Sequence, residues 1–386
     1  MLNAKVIIFL SVFVLVFFFA FKVNGNQDGE ICLKKSYELY KKNFVSNDGR
    51  VIDYDRNNVT TSEGQSYMLL RSLIMNDRVN FGLVYKWTKD NLQRQDKLFS
   101  WLWGKDKNGQ YTTLDENSAS DADIDIAFAL LLAYEKWGEY QYLEEAKPII
   151  ISIWYNETKT IGDYLTLMPG VKQTKDEKIK INPSYFSPYA FKMFQKYDEL
   201  HDWDLLVQSS YFYLNESCKK TQSHLPPNWF LIENGEIVLE DSANSDFSYD
   251  AVRVFPRVYL DYINTRDKRA LAILQKSQFF VEQWKNSKTF YTNYRADGQL
   301  RDKYKFVGAR AIITPAISII NKRTANTMYQ SQIKPSFEDE NYWADKTDYY
   351  GKNLSWFGDF ANNNSPSTSL VHECPLPKEN KKGANE

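Results

Sequence analysis

Three aspartates stand at the front of the segment NSASDADIDIAFALLLAYEKW, which spans residues 117–137. Asp121, Asp123 and Asp125 precede an apolar run whose hydrophobic residues follow helical spacing. The segment predicts a buried helix with carboxylates at its N-terminus, where the helix dipole stabilises negative charge. Ser118 or Ser120 is expected to cap this helix. The three carboxylates serve either acid–base chemistry or simple capping.

A second carboxylate, Glu63, lies in the segment TTSEGQSY. Ser62 is expected to cap a helix here, which places Glu63 in its first turn. Gly64 weakens a helix start, so its presence predicts that another group approaches the backbone closely. The alternative is that Glu63 only stabilises the helix dipole.

The segment FSYDAVRV brings together Tyr249, Asp250 and Arg253. Asp250 and Arg253 are three residues apart, so they share one face of a predicted helix start. They form either part of a site or an ordinary helical ion pair. In INPSYFSP, Tyr185 lies in a turn that enters a helix and points into a site or into the core.

Two tryptophans, Trp101 and Trp103, occur in the segment FSWLWG. In an extended strand, alternate side chains lie on the same side. These two rings therefore suit either stacking on sugar rings or packing in the core.

Other chemistries find little support in the sequence. A calcium loop beginning at Asp121 would need Gly and Glu where Ile126 and Leu132 stand. The three histidines have no metal-binding spacing, and no phosphate loop, dinucleotide fingerprint or GxSxG motif occurs. No metal or cofactor is therefore expected. Carboxylates together with aromatic residues favour acid–base cleavage of a polysaccharide.

The elements that must position these residues are mostly helices. Apolar periodicity predicts helices at about residues 31–44, 62–76, 78–93, 122–138, 140–156, 184–198, 203–217, 248–264, 267–285, 308–322 and 339–360. Residues 236–239 are expected to form part of a loop hairpin. Helices in antiparallel pairs suit an all-α toroid, although the pattern alone is equally typical of an α-solenoid.

Composition and the chain ends limit the possible functions. The net charge of −1 over 386 residues does not favour nucleic acid as a partner. Lys5, the uncharged residues 6–21 and a small residue at position 25 predict a cleaved signal peptide over residues 1–25, with an uncleaved anchor as the alternative. One domain is expected over residues 26–374, followed by a disordered tail over residues 375–386. A disulfide between Cys32 and Cys374, with Cys218 left free, is one possible pairing.

The blocks TTSEGQSY, WLWGK, NSASDADIDIA, INPSY and SYDAVRV, in this order, resemble family 8 of the glycoside hydrolases. The resemblance covers about residues 33–360 and is strongest to the periplasmic endo-1,4-β-glucanases that accompany bacterial cellulose synthases. It implies an (α/α)6 barrel, an inverting mechanism and a β-1,4-linked glucan, chitosan or xylan substrate. It also implies export to the periplasm or medium, a monomer and a link to cellulose-synthesis machinery.

The resemblance also assigns roles by position. Glu63 matches the general acid of the family, and Asp250 matches the general base of its cellulase-type members. Asp121, rather than Asp123, matches the aspartate that holds the distorted sugar. Tyr185, Tyr249 and Arg253 match further residues of the site, and Trp101 and Trp103 are expected to line an open cleft. The expected function is an inverting endo-β-1,4-glucanase. The alternatives are chitosan or xylan hydrolysis, and a non-catalytic glucan-binding protein.

Overall fold

The computed structural model describes residues 27–171, 178–339 and 341–364. The predicted signal peptide, the predicted tail and Cys374 lie outside these residues, as does the side chain of Cys32. Cys218 is buried and free. Among the described residues, no helix combines the length and apolar character needed to cross a lipid bilayer.

Helices make up most of the described chain. They are α1 (Gln27–Phe44), α2 (Ser62–Ile74), α3 (Arg78–Leu92), α4 (Ser120–Trp137), α5 (Tyr140–Asn156), α6 (Pro188–Tyr197), α7 (Asp204–Lys220), α8 (Val254–Thr265), α9 (Lys268–Leu274), α10 (Gln278–Ser287), α11 (Val307–Ile320), α12 (Lys322–Gln332), α13 (Lys334–Phe337) and α14 (Tyr349–Asn364).

Short antiparallel strands lie in the connections between helices. They are β1 (Thr60–Thr61), β2 (Ser100–Lys105), β3 (Tyr111–Ser118), β4 (Thr158–Ile161), β5 (Tyr164–Leu167), β6 (Lys178–Ile181), β7 (Phe230–Glu233) and β8 (Glu236–Val238). They form a sheet in the order β1-β2-β3, a β4-β5 hairpin and a sheet in the order β6-β7-β8. The hairpin predicted near residues 236–239 is present as β7-β8.

The helices form two concentric rings. Along the inner ring, α2, α4, α6, α8, α11 and α14 each pack on the next. The ring closes where Arg71 of α2 donates to the backbone oxygen of Asn353 in α14, at 3.2 Å. One outer helix packs on each inner one, namely α3, α5, α7, α9 and α12 on the first five and α1 on α14. This arrangement confirms the predicted (α/α)6 barrel.

The burial of the inner helices explains why apolar periodicity predicted them. Nearly all side chains of α4 and α11 are buried, because each helix contacts two neighbours in its own ring and an outer helix. A helix surrounded on every side needs apolar residues around most of its circumference. The predicted ranges for these two helices differ from the observed ones by one or two residues.

Several predicted boundaries are wrong. The predicted helix over residues 184–198 is interrupted, because Pro183–Tyr185 form a 3-10 turn and α6 begins only at Pro188. The range 339–360 begins ten residues too early, since α14 starts at Tyr349. The polar outer helix α12 was not predicted.

The predicted caps are also wrong. α2 is capped by Thr61, whose Oγ1 accepts the backbone N–H of Gly64 at 3.1 Å. α4 has no side-chain cap, because its first residue before the helix is Ala119. The Ser118 hydroxyl is used elsewhere, donating to Glu157 at 2.6 Å.

Candidate active site

A single guanidinium contacts the three carboxylates that carry the expected chemistry. Arg253 Nη1 contacts Glu63 Oε1 and, at 2.8 Å, Asp121 Oδ2, while its Nη2 contacts Asp250 Oδ1 at 2.8 Å. Glu63 comes from α2 and Asp121 from α4, while Asp250 precedes and Arg253 ends the 3-10 turn Ala251–Arg253 that leads into α8. The N-terminal ends of three inner helices therefore meet at this cluster.

Glu63 occupies the first turn of α2, where the helix dipole favours a negative charge. The same carboxylate oxygen that contacts Arg253 also accepts the hydroxyl of Tyr67, one turn further along, at 2.8 Å. Its side chain is 25% exposed, so it reaches the solvent side of the cluster. A Cβ on Gly64 would collide with the hydroxyl of Tyr349 from α14. The close approach predicted at Gly64 is thus a helix contact.

Asp121 lies deeper than Glu63, with only 3% of its side chain exposed. Its Oδ1 accepts the backbone N–H of Ala122 at 2.9 Å, and its Oδ2 contacts Arg253. Burial raises the pKa of Asp121 to about 6, and the charge of Glu63 acts in the same direction, while Arg253 opposes both. One positive charge faces three acidic groups, so the cluster retains a proton more readily than separated carboxyls would.

Asp250 is the most exposed of the three carboxylates, at 34%. Each of its oxygens has one donor, since Arg253 contacts Oδ1 and the indole N–H of Trp229 donates to Oδ2 at 2.9 Å. Trp229 immediately precedes β7. A carboxylate held in this way keeps its orientation, and its exposed face remains open to water or substrate.

Three tyrosines besides Tyr67 lie around the cluster. The ring of Tyr185 lies 5.5 Å from the guanidinium carbon of Arg253 and 6.0 Å from the ring of Trp229. Burial, followed by the charge of Asp121, raises the pKa of Tyr185 well above its usual range, so its hydroxyl remains a hydrogen-bond donor. Tyr249 is half exposed beside Asp250, and its backbone oxygen accepts the hydroxyl of Tyr350 at 2.8 Å.

The tryptophans of β2 lie next to α2, because β1 pairs Thr60 with Trp103 and ends at Thr61, the cap of α2. Trp103 is partly buried and stacks on Tyr111 of β3, with ring centroids 4.9 Å apart. Its ring also lies 5.1 Å from that of Trp87, edge to face. Trp101 is half-buried. Trp103 therefore has a packing role whether or not it also contacts a sugar.

Two of the three aspartates in α4 point away from the cluster. Asp123 is fully buried, and its Oδ1 accepts the backbone N–H of Phe99 at 2.8 Å. Burial, followed by the charge of Glu157, raises the pKa of Asp123 well above its usual range. Asp125 forms a bidentate pair with Arg257, with both oxygen–nitrogen distances at 2.8 Å. Of the three, only Asp121 lies in the cluster.

The arrangement provides a partly exposed carboxyl on each side of a shared guanidinium, with tyrosine hydroxyls beside it. Carboxyl pairs of this kind can donate a proton to a leaving group and accept one from water. In the described part of the chain, no group of three or more His, Cys, Asp or Glu side chains is arranged to hold a metal ion.

Sequence reasoning missed Tyr67, Trp229 and Tyr350. A signal existed for Tyr67, which lies four residues after Glu63 and therefore on the same helix face. Trp229 and Tyr350 reach the cluster from a loop and from the start of α14. No local pattern connects either of them to Glu63 or Asp250.

Comparisons with a family model and with a known protein point to the same class of enzyme. The family model described as glycosyl hydrolases family 8 matches residues 11–363. An endoglucanase of Escherichia coli (strain K12) is 35% identical over 233 residues, which are 58% of this chain and 61% of that protein. The chain thus matches less than two thirds of the length of this relative.

Solved structures agree with the fold. The endo-1,4-D-glucanase of Vibrio fischeri ES114 superimposes with a TM-score of 0.72 at 27% identity, covering 84% of this chain and 93% of that one. A cold-adapted family 8 xylanase superimposes with a TM-score of 0.69 at 19% identity, covering 89% and 93%. The barrel is thus shared by proteins whose names give different substrates.

Proposed function

Because the chain belongs to glycosyl hydrolases family 8, we propose that it is an inverting endo-β-1,4-glucanase with Glu63 as the general acid and Asp250 as the general base. The observation that carries the proposal is the contact of one guanidinium, that of Arg253, with both of these carboxyls and with Asp121. A single sugar unit placed over Arg253 would lie within reach of all three.

In the proposed reaction, protonated Glu63 donates its proton to the glycosidic oxygen as the bond from that oxygen to the anomeric carbon breaks. Asp250 takes a proton from a water molecule whose oxygen attacks the anomeric carbon from the opposite face. The configuration inverts, Glu63 ends ionised and Asp250 ends protonated. Proton exchange with solvent then restores both groups.

The exposure of the two groups supports this division of roles. Glu63 and Asp250 bind different nitrogens of Arg253, which separates them, and each keeps an exposed face. Inverting glycosidases need space for a water between base and sugar. Asp121 is less exposed than Glu63 and Asp250, so it is assigned to holding a sugar hydroxyl rather than to proton transfer.

The substrate is proposed to lie in an open cleft along this end of the barrel. Tyr185 and Tyr249 flank the cluster on the Asp250 side, while Trp101 and Trp103 lie on the side of β2. Tyrosine and tryptophan rings stack on the apolar faces of sugars and also donate hydrogen bonds. Names of relatives support a glucan as the substrate, since the protein from Escherichia coli is called an endoglucanase and that from Vibrio fischeri an endo-1,4-D-glucanase.

We also propose that residues 26–374 form one catalytic domain and that the protein acts outside the cytoplasm, as a monomer, in association with cellulose synthesis. These proposals depend on the resemblance and on residues 1–25. Cell fractionation and a mass measurement of the mature N-terminus test export. Export is contradicted if the protein remains in the cytosol with residues 1–25 attached.

A substrate panel tests the proposed activity. Reducing ends should appear fastest from soluble carboxymethyl-cellulose or mixed-linkage β-glucan, and viscosity should fall early because cleavage is internal. A faster release from chitosan or xylan would move the assignment to one of those substrates. If no panel member is cleaved while cello-oligosaccharides still bind, the protein is a glucan-binding protein.

A further inference from the structure

Two consecutive residues, Asn228 and Trp229, hold the segment that carries Asp250. The side-chain oxygen of Asn228 accepts the backbone N–H of Ser248 at 3.2 Å and that of Ala251 at 3.0 Å. Its amide nitrogen donates to the hydroxyl of Ser248 at 2.6 Å. The backbone on both sides of Asp250 is therefore tied to one buried side chain.

Trp229 holds the side chain of Asp250 itself. Its indole N–H donates to Oδ2, and Arg253 donates to Oδ1, at 2.9 Å and 2.8 Å. Two donors on different oxygens fix the rotation of the carboxylate about its own axis, which one donor cannot do. A base must present a lone pair to the attacking water within narrow limits of distance and angle.

The indole is itself held in place. The backbone N–H of Trp229 donates to the oxygen of Asn244 at 2.7 Å. The ring of Tyr185 lies 6.0 Å from the indole at an interplanar angle of 63°, and the ammonium group of Lys180 lies 5.2 Å from it. Neighbours on the ring and on the backbone restrict its rotation, so the N–H keeps one direction.

We propose that Trp229 is a positioning residue for Asp250, orienting the carboxylate for attack by water, and that Asn228 fixes the backbone that carries it. The proposal rests on the proposed function, since it requires Asp250 to be the base. Trp229 acts through Asp250 and does not itself exchange a proton.

The variant Trp229→Phe tests this role, because it keeps an aromatic ring against Tyr185 and removes only the N–H and part of the ring. We expect kcat on soluble β-glucan to fall by about 10- to 100-fold while KM changes less than about 3-fold. We also expect the acidic limb of the pH profile of kcat/KM to move to higher pH, because the ionised carboxylate loses a donor.

The charged and titratable groups that face Asp250 remain in this variant. Arg253 contacts it directly, Glu63 and Asp121 share that guanidinium, and Tyr185 and Tyr350 lie beside it. Lys180 lies on the far side of the Trp229 ring. A shift of the acidic limb can therefore be assigned to the lost N–H.

The matched control is Trp137→Phe, which removes an indole N–H that donates to Asn76 at 2.9 Å. This contact lies at the C-terminal ends of α4 and α2, whereas the cluster lies at their N-terminal ends. Its kcat and pH profile should equal those of the wild type. The positioning role is overturned if Trp229→Phe matches this control in kcat and in the acidic limb, if it changes only KM, or if it loses the circular dichroism of the folded barrel.

Failure of the proposed function gives a different pattern. In that case the wild type and Trp137→Phe do not hydrolyse the panel, or Asp250→Asn is as active as the wild type. If the wild type is active and Asp250→Asn is inactive, the proposed function holds, and the result for Trp229→Phe then tests only the positioning role.

Discussion

Two arginines one turn apart, Arg253 and Arg257, are used in opposite ways. They face two aspartates of α4 that are also one turn apart, Asp121 and Asp125. Arg257 meets one carboxylate through two parallel contacts, and the hydroxyls of Ser187 and Tyr189 complete its partners. In this buried pair the charges match one to one.

We call Arg257 and Asp125 the inner layer of the site, and Arg253, Glu63, Asp121 and Asp250 its outer layer. The charges of the outer layer do not match one to one. Arg253 meets three carboxylates, two of them partly exposed, and its Nε is buried without a partner in the described part of the chain. The difference teaches that a buried pair with matched charges is costly to break, because loss of one partner leaves the other charge unpaired. Excess acidic groups around one cation, in contrast, favour the protonated form of one of them. We therefore expect substitutions in the outer layer to reduce activity and those in the inner layer to reduce stability.

The largest effect is expected for Glu63→Gln in the outer layer. Loss of the proton donor should reduce hydrolysis of soluble β-glucan by about 10²- to 10⁴-fold, with little change in the temperature of unfolding. An aryl glycoside that the enzyme accepts should lose less, because its leaving group needs less protonation. Glu145→Gln on the outer helix α5 is the control and should behave as wild type. Equal losses on both kinds of substrate would contradict the acid role of Glu63.

The inner layer is tested by Asp125→Asn, which leaves Arg257 buried and without a carboxylate. We expect a loss of about 3–5 kcal/mol in the free energy of unfolding, measured with denaturant. Asp250→Asn is the control, since Arg253 keeps Glu63 and Asp121 and the loss should stay below about 1 kcal/mol. The comparison between the layers fails if the two variants are equally stable.

The excess acidity of the outer layer should appear as pH-dependent stability. The pKa of Asp121 is raised to about 6 from its ordinary value of 3.8. Between these two pH values, the folded state therefore holds a proton that the unfolded state has released. Stability therefore falls as pH rises from about 4 to about 6, and the variant Asp121→Asn should remove this part of the decline. At pH 7 that variant should be more stable than the wild type by about 1–3 kcal/mol.

Unfolding by denaturant at several pH values between 4 and 8 measures this difference. Glu157, whose pKa burial raises to about 8, contributes a decline at higher pH, and the charge of Asp121 adds to that raised pKa. The two proteins are therefore compared between pH 4 and pH 6, below the range in which Glu157 titrates. An identical pH dependence of the wild type and Asp121→Asn would contradict a raised pKa at Asp121.

The smallest effect is expected at the edge of the cleft. Trp103→Ala should weaken binding of a cello-oligosaccharide by about 10-fold, measured by calorimetry with a catalytically inactive background. It should also lower the unfolding temperature, because the contacts with Tyr111 and Trp87 are lost. Tyr155→Ala, on the exposed face of α5, is the control and should not change binding. Loss of stability with unchanged affinity would assign Trp103 to the core alone.

Much of the fold was predictable because inner helices such as α4 and α11 are apolar around most of their circumference. The polar helix α12 was missed, since too few apolar residues repeat along its sequence. The start of α6 at Pro188 was also missed, because apolar periodicity does not reveal it. The caps were wrong because α2 and α4 begin earlier than their apolar runs.

The site was less predictable than the fold. Spacing predicted the pair of Asp250 and Arg253, three residues apart. The contacts of Arg253 with Glu63 and Asp121 join residues 190 and 132 positions apart, so they depend on closure of the helical ring. The indole contact of Trp229 depends on a loop whose path has no periodic signal. Residue types identify candidate groups, but only the closed barrel brings them onto one guanidinium.

The anomeric form of the first product tests the central proposal most directly. We expect proton NMR, recorded within minutes of mixing the enzyme with a cello-oligosaccharide, to detect the α-anomer first, followed by slow mutarotation. Early appearance of the β-anomer would contradict the inverting roles of Glu63 and Asp250.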